Sequence, residues 1–456
     1  MIAAQAAMLP DADADADTGP ELPEGPAEGT GAALHALAAR LFPICRSITG
    51  DGVRQSLSIL REWADIRFID VSSGMQVFDW TVPDEWNIRD AYIARAGGER
   101  VVDFRVNNLH VLNYSIPVRG RFTMAELRPR LHTLPDQPDL IPYRTSYYNP
   151  NWGFCLSQRQ LDAMGDGPFD VVIDSSVAPG SLTMGEIVIP GAIEDEILVS
   201  THVCHPSLAN DNLSGLVIAA ALAGRATRAP LRHTLRILFV PGTIGSITWL
   251  ALNEHIVPRI RHGLVLTGLG DRGAFTYKRS RRGDAVVDRA ARHVLADRHP
   301  GSGVIDFSPW GYDERQYCSP GFDLPVGRLS RSPHGEFPEY HTSADDLDFI
   351  TPAALGEALA AVEAILSVAD RDATYRATAP KGEPRLGKRG LYRTTAGQGG
   401  AVPDELAMLW MLNQSDGSRS TLDIADRAKL PFEAIHGAAT ALSGVGLLDR
   451  LPAATG

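Results

Sequence analysis

EILVSTHVCHPSLANDNLSGLVIAAALA, residues 196–223, contains a strand, a polar loop and an apolar helix in that order. The apolar strand ends at Thr201, so His202 sits at its C-terminal edge. In open α/β sheets that edge is where ligands bind. The loop then delivers Asp211 and Asn212, and a helix starts near Leu213. A histidine at a strand end and an aspartate at a helix N-terminus can converge on one cation. Imidazole and carboxylate both suit zinc, which takes N and O ligands where thiolates are absent. Taken alone, such a histidine is ordinary core and such an aspartate is an ordinary helix cap. Their combination with Gly215 and the apolar helix points to a metal site.

A third ligand has to come from far along the chain. His341, in SPHGEFPEYHTSADDLDFI (332–350), is the candidate, in a polar loop before a helix beginning near Pro352. On its own this would read as a loop histidine, with Asp345 as a cap.

Around this stretch, strands and helices alternate from about 141 to 370, which indicates α/β architecture. VVIDSS, EIVIP, EILVSTH, LRILFVPG, GLVLTG and PVGRLS read as strands, and residues 212–228, 245–253, 285–298 and 352–369 as helices. Upstream, Leu34, Leu37 and Leu41, then Val53, Leu57, Leu60 and Trp63, recur at helical spacing. Short alternating runs from about 68 to 130 predict a small all-β unit, either leaning over a neighbouring site or inserted for structure. Residues 1–30 are acidic and poor in large apolar groups, so disorder is expected there. A basic, Gly/Pro-rich linker at 373–400 precedes three helical patterns and a short β element, the order of a winged helix. The domain boundaries so read are 1–30 for the tail, 31–68 plus 138–385 for the α/β domain, 69–137 for the small β domain and 400–452 for the winged helix.

Composition sets the limits. A chain of 456 residues with 44% apolar content supports a large core. A net charge of -12 disfavours a phosphate backbone as partner, and the winged-helix segment is itself acidic, which favours packing over DNA binding. The four cysteines (Cys45, Cys155, Cys204 and Cys318) have no pair spacing, so reduced thiols are expected. The N-terminus lacks a basic, apolar signal pattern and no run of 18 uninterrupted apolar residues occurs, so a cytoplasmic protein without a membrane span is expected.

LANDNLSG (208–215) and HTSADDLDF (341–349) resemble the zinc aminopeptidase superfamily that also includes glutaminyl cyclases. His202, Asp211 and His341 fall on that superfamily's first His ligand, metal-bridging Asp and late His. More closely, the chain resembles a bacterial aminopeptidase-like family across about residues 35–450. The shared motifs read here as CRSITGDG, FDWTVPDEWNIRDAYI, TSYYNPNWGFCLS, STHVCHPSLANDNLSG, DERQYCSPG and EYHTSADDLDF. The resemblance implies a zinc-peptidase-like mixed sheet flanked by helices, with a small all-β domain and a C-terminal winged helix.

Departures from the pattern limit what carries over. Where the two-zinc enzymes have a general-base Glu followed by a ligand Glu, this chain has Gly242 and Thr243 in LFVPGTIGSITWL (238–250). The closer family usually reads P-E-T-I-G-S there and keeps the base. Thr267 stands near a later Asp ligand, with Asp271 as a substitute. One zinc per chain, rather than two, is the resulting expectation. A positioned carboxylate typically adds about 10²–10⁴-fold by proton transfer, which glycine cannot supply. Glu336, Glu339 or Asp313 could serve instead, or the protein is a weak or inactive hydrolase, or Gly242 is an introduced change. His205 could be an alternative ligand or support the ligands from behind, and Cys204 takes the place of an acid that orients the first His in many relatives.

Two further motifs suggest a substrate pocket. GYDERQYCSPG (311–321) offers Asp313 for a free amine and Arg315 for a carboxylate, beside Tyr317. YRTSYYNPNWGF (143–154) offers Tyr147 as an aromatic wall. The leading reading is a zinc-dependent hydrolase of a small peptide or aminoacyl amide. The alternative is a relative that keeps the metal pocket for binding or for a non-peptidase step. Either reading is compatible with a homo-oligomer.

Overall fold

The computed structural model describes residues 27–391 and 405–452. Most of the expected acidic tail and the end of the basic linker lie outside them. The chain divides into two compact units, one of residues Met1–Gly283 and Gly303–Ala360, the other of Asp284–Ser302 and Ala361–Gly456.

The first unit is built on an eight-stranded mixed sheet. Its strands are β1 (Arg67–Ser72), β2 (Ser181–Ile189), β3 (Ile193–His202), β4 (His233–Val240), β5 (Ile260–Leu266), β6 (Thr276–Lys278), β7 (Gly303–Ile305) and β8 (Val326–Ser330). The order is β1-β2-β4-β3-β5-β8-β6-β7. The central strands β4, β3, β5 and β8 run parallel, β1–β2, β2–β4 and β8–β6 pair antiparallel, and the edge strand β7 is parallel to β6. β3 is buried from Glu196 to His202, as a strand covered on both faces should be. Helix α1 spans Ala27–Leu41 and α2 spans Asp51–Arg61, and both insert their leucines into the core.

Helix α3, Ser214–Arg228, is buried all round over its first ten residues, so small side chains (Ala219, Ala220, Ala221, Ala223) are what its neighbours leave room for. Gly215 is required at its start. A Cβ there would stand 2.6 Å from Thr201 Oγ1 and 2.7 Å from the Asn212 amide. The glycine thus lets the helix start close against the end of β3.

A buried ion network crosses β2, β4 and β3. Arg236 donates from Nε (2.6 Å) and Nη2 (2.9 Å) to Glu196 and from Nη1 to Glu186 (2.5 Å). Trp249 Nε1 and Arg67 also reach Glu186. Both glutamates and Arg236 are buried.

A second, four-stranded antiparallel sheet has the order 100–103, 85–95, 169–178, 118–122. This corrects the expected boundaries of the small β domain. Strand 169–178 was assigned to the α/β domain, but it pairs along its whole length with 85–95, and a tight turn then carries the chain into β2. Residues 67–72, in contrast, belong to the large sheet. Phe169, Val171 and Ile173 explain the pairing, since they pack with Ala91, Ile93 and Phe154 in a separate core.

In the second unit, helices Glu405–Gln414, Thr421–Ala428 and Phe432–Gly444 surround Met408, Met411, Ile424, Ile435 and Leu442. A three-stranded antiparallel sheet of 374–377, 416–420 and 448–450 completes it. Three of its acids are paired within the unit: Arg289 meets Asp423, Arg292 and His293 meet Asp426, and Arg371 meets Glu433. Helix Pro352–Arg371 is long and apolar enough to cross a membrane, but 61% of its apolar window is buried, as in a core helix.

Candidate active site

The parallel strands end together. His202, the last residue of β3, pairs with Val240 at the end of β4, and the next residues of that chain are Pro241 and Gly242. Past His202, residues 209–213 form a wide turn in which Asp211 leaves helical geometry (φ -109, ψ 81) before α3 begins. Backbone N–H groups of Asn210 and Asp211 donate to the Asp345 carboxylate at 2.5 and 2.9 Å, and Ala209 N–H donates to its carbonyl. The Asn210 side chain donates to Asp271 (2.9 Å) and accepts from Gly270 N–H. The loop is therefore held from both sides, and the Asp211 carboxylate is aimed by its own backbone.

Three imidazoles surround that carboxylate. His202 Nε2 lies 2.8 Å from Asp211 Oδ1, His341 Nε2 3.0 Å from Oδ2, and His205 Nε2 3.8 Å from Oδ2. Donor atoms of His202, His205 and Asp211 all fall within 4.8 Å of one another, a group that could hold a metal ion. Asp211 is 1% exposed, yet the facing histidines hold its carboxyl well below the usual range despite burial. Burial pushes His205 down to about 3, so it stays neutral and its lone pair remains available. Its backbone is held by Arg46 of the CRSITGDG motif, whose buried guanidinium donates to the carbonyls of His205 (2.7 Å) and Pro206 (2.9 Å).

Aromatic rings enclose the cluster. Tyr312 stacks on His202 (4.9 Å, 17°) and its hydroxyl donates to Asp211 Oδ1 at 3.4 Å. Burial and the Asp211 charge push that phenol well above its usual value, so it remains a donor. Tyr340 stacks on His341, and Tyr143 meets both His341 and His205 edge-on. Tyr143 N–H also donates to the His341 carbonyl (2.7 Å), pinning a residue with left-handed backbone (φ 55).

The structure therefore brings together His202, Asp211 and His341 and adds His205, which the sequence left between ligand and second shell. Tyr147 is half-buried one ring away, its hydroxyl 2.7 Å from that of Tyr143. Asp313 is buried beside Gly242, and Arg315, half-buried, is among the charges acting on it. Tyr317 is a correction. It is fully buried in the core, its hydroxyl donating to Ser200 Oγ (2.9 Å), because the short helix Glu314–Tyr317 turns it inward. Asp271 is another: it binds Asn210, Ser332 and the Gly273 N–H and acts as a brace for the loop. Nor does Cys204 orient His202. Its sulfur faces His205 Nδ1 (3.6 Å) and the Gly242 carbonyl (3.8 Å), while the Asn212 amide nitrogen lies against His202 Nδ1 (3.3 Å). Arg46 and the bracing role of Asp345 were missed by reading the sequence, since neither has a local pattern that announces it.

Comparison with known proteins places this geometry. Residues 35–372 match a family model described as "Domain of unknown function (DUF4910)", and residues 373–450 match one described as "winged helix-turn-helix". A Clostridium acetobutylicum protein named "Putative polysaccharide biosynthesis protein with aminopeptidase-like domain" is 49% identical over 421 residues, covering 92% of this chain and 96% of its own. A crystal structure of a "putative peptidase" from Clostridium acetobutylicum is 46% identical, with a TM-score of 0.89 over 93% of this chain and 97% of its own. The zinc aminopeptidase BSAP of Bacillus subtilis shares the fold at 12% identity, with a TM-score of 0.54 over 76% of this chain and 95% of its own.

Proposed function

The chain belongs to the DUF4910 family and carries an aminopeptidase-like domain, and from that premise we propose that it is a metal-dependent amide hydrolase acting on a small peptide or aminoacyl amide. The observation that carries this reading is the buried carboxylate among three imidazoles at the C-terminal edge of β3. Nitrogen and oxygen donors without a thiolate are the chemistry zinc accepts. His202, His205, Asp211 and His341 would hold one ion per chain. A second ion finds no donors in Gly242 and Thr243, and Asp271 is turned to Asn210 and Ser332. When bound, zinc supplies Lewis-acid polarisation of the amide carbonyl and lowers the pKa of water. The chain's own groups do the rest: Asp211 stays ionised, His205 stays neutral, and Tyr312, Tyr340 and Tyr143 limit water around the donors.

Elemental analysis of the purified protein is expected to give about one zinc per chain after zinc loading. His202→Ala and His341→Ala are each expected to lose most of it, and stoichiometric zinc in both variants would refute the donor assignment. His205→Ala is expected to weaken zinc affinity by about 10-fold or more, as loss of even a supporting partner does, in a competition titration against a chelator. Hydrolysis is tested on a panel of aminoacyl amides and dipeptides. The name of the Clostridium relative adds amide-bearing sugars to that panel. Zinc-dependent release of amine supports the reading. The absence of a carboxylate at Gly242 favours a second reading, a metal pocket that binds without hydrolysing, and zinc binding with no amine release from any substrate would select it.

A further inference from the structure

We infer that the Asp313 carboxylate is the proton-transferring group of this site, filling from the opposite wall the place that Gly242 leaves without a side chain. The inference rests on the hydrolase reading and names its base.

The space in front of Gly242 is bordered by His202 and Asp313. A Cβ on Gly242 would stand 3.3 Å from His202 Cβ, 3.4 Å from Asp313 Oδ2 and 3.6 Å from Asp313 Oδ1. Both oxygens of Asp313 therefore face the volume that a longer acid at 242 would occupy, beside the residue that begins the donor cluster. Asp313 is 1% exposed, and Ser246 Oγ donates to its Oδ1 at 2.9 Å. Of the other sequence candidates, Glu336 is exposed. The neighbouring Glu314 is fully buried and bound to Lys278 Nζ at 2.9 Å.

Burial raises the Asp313 carboxyl to about 6, against the lowering effects of His202, Ser246 and Arg315 and with a raising contribution from Glu314. Cys204 and Tyr317 also feel its charge, but burial keeps both protonated. A base poised close to the working pH is what proton transfer favours. The step balances without a further reactant. Asp313 takes a proton from water as the water oxygen bonds to the amide carbon. The same proton passes to the nitrogen as the C–N bond breaks, leaving a carboxylic acid, an amine and the regenerated carboxylate.

The test uses the zinc-loaded full chain and the amide on which the wild type is most active. Asp313→Asn should lower kcat about 10²-fold or more while zinc content and melting temperature stay at wild-type values. Gly242→Glu introduced into Asp313→Asn should restore at least tenfold of that loss, which no structural role of Asp313 would allow. Should Asp313→Asn fail to fold, Ser246→Ala supplies the measurement. Losing the hydroxyl raises the carboxyl further, so the acid limb of kcat/KM should move to higher pH. Activity of Asp313→Asn within threefold of wild type, an unmoved limb in Ser246→Ala, or a tenfold gain from Gly242→Glu alone would each overturn the inference and leave the hydrolase reading standing. No hydrolysis by the wild type on any amide would overturn both.

Discussion

Asp211→Asn is expected to bind zinc more than about 100-fold less tightly than the wild type, since loss of even second-shell partners costs 10- to 100-fold. Asp211 is the one acid in the cluster, and its two oxygens are divided between His202 on one side and His341 and His205 on the other. An amide keeps the shape of the side chain and the backbone hydrogen bonds to Asp345, but it removes the negative charge that the donor cluster sets against a cation. The metal-free variant should fold, because that bracing is made by backbone N–H groups. Isothermal titration with zinc against a competing chelator, paired with a melting curve of the metal-free protein, reads both outcomes. Wild-type affinity in Asp211→Asn would remove the carboxylate from the donor set.

Arg236→Met should destabilise the first unit by about 3–5 kcal/mol, the usual consequence of removing one partner from a buried ion pair. The methionine fills much of the same volume, but Glu196 loses both of its hydrogen bonds from Arg236. Glu186 keeps Trp249 Nε1 and Arg67. Replacing Glu196 by Gln in the same chain should recover part of the loss, since the stranded charge is then gone. Urea denaturation followed by tryptophan fluorescence measures it, as Trp249 sits on this network. A change in free energy below about 1 kcal/mol would show that the network is stabilised elsewhere.

How far the sequence could be read depended on the distance over which each feature is specified. His202 and Asp211 were legible because strand, loop and helix follow one another within a few residues, and the apolar pattern shows where the strand stops. The α/β order, the helix starting near Pro352 and the three C-terminal helices were legible for the same reason. His341 lies 130 residues from Asp211, so no local pattern reaches it, and only the resemblance singled it out. His205 stayed undecided because the backbone that carries it is held by Arg46, more than a hundred and fifty residues upstream. Tyr317 misled because a polar, aromatic run looks like a pocket wall, whereas one turn of helix puts every third or fourth side chain inward. Strand 169–178 was placed in the wrong sheet because alternation shows that a strand exists without showing which neighbour it pairs with.

The spacing of the donors also fixes an order in time. A ribosome adding about 5–20 residues per second delivers Asp211 roughly 6–26 s before it delivers His341, across the 130 positions that separate them. Through that interval the nascent chain has three of its four donors and lacks the loop that Tyr143 later ties to His341. Any fragment ending between residues 211 and 341 stays in that state permanently. Capture of the ion with all four donors is thus reserved for chains that have been translated almost to the end of the aminopeptidase-like domain, which makes tight metal retention a reporter of that domain's completion.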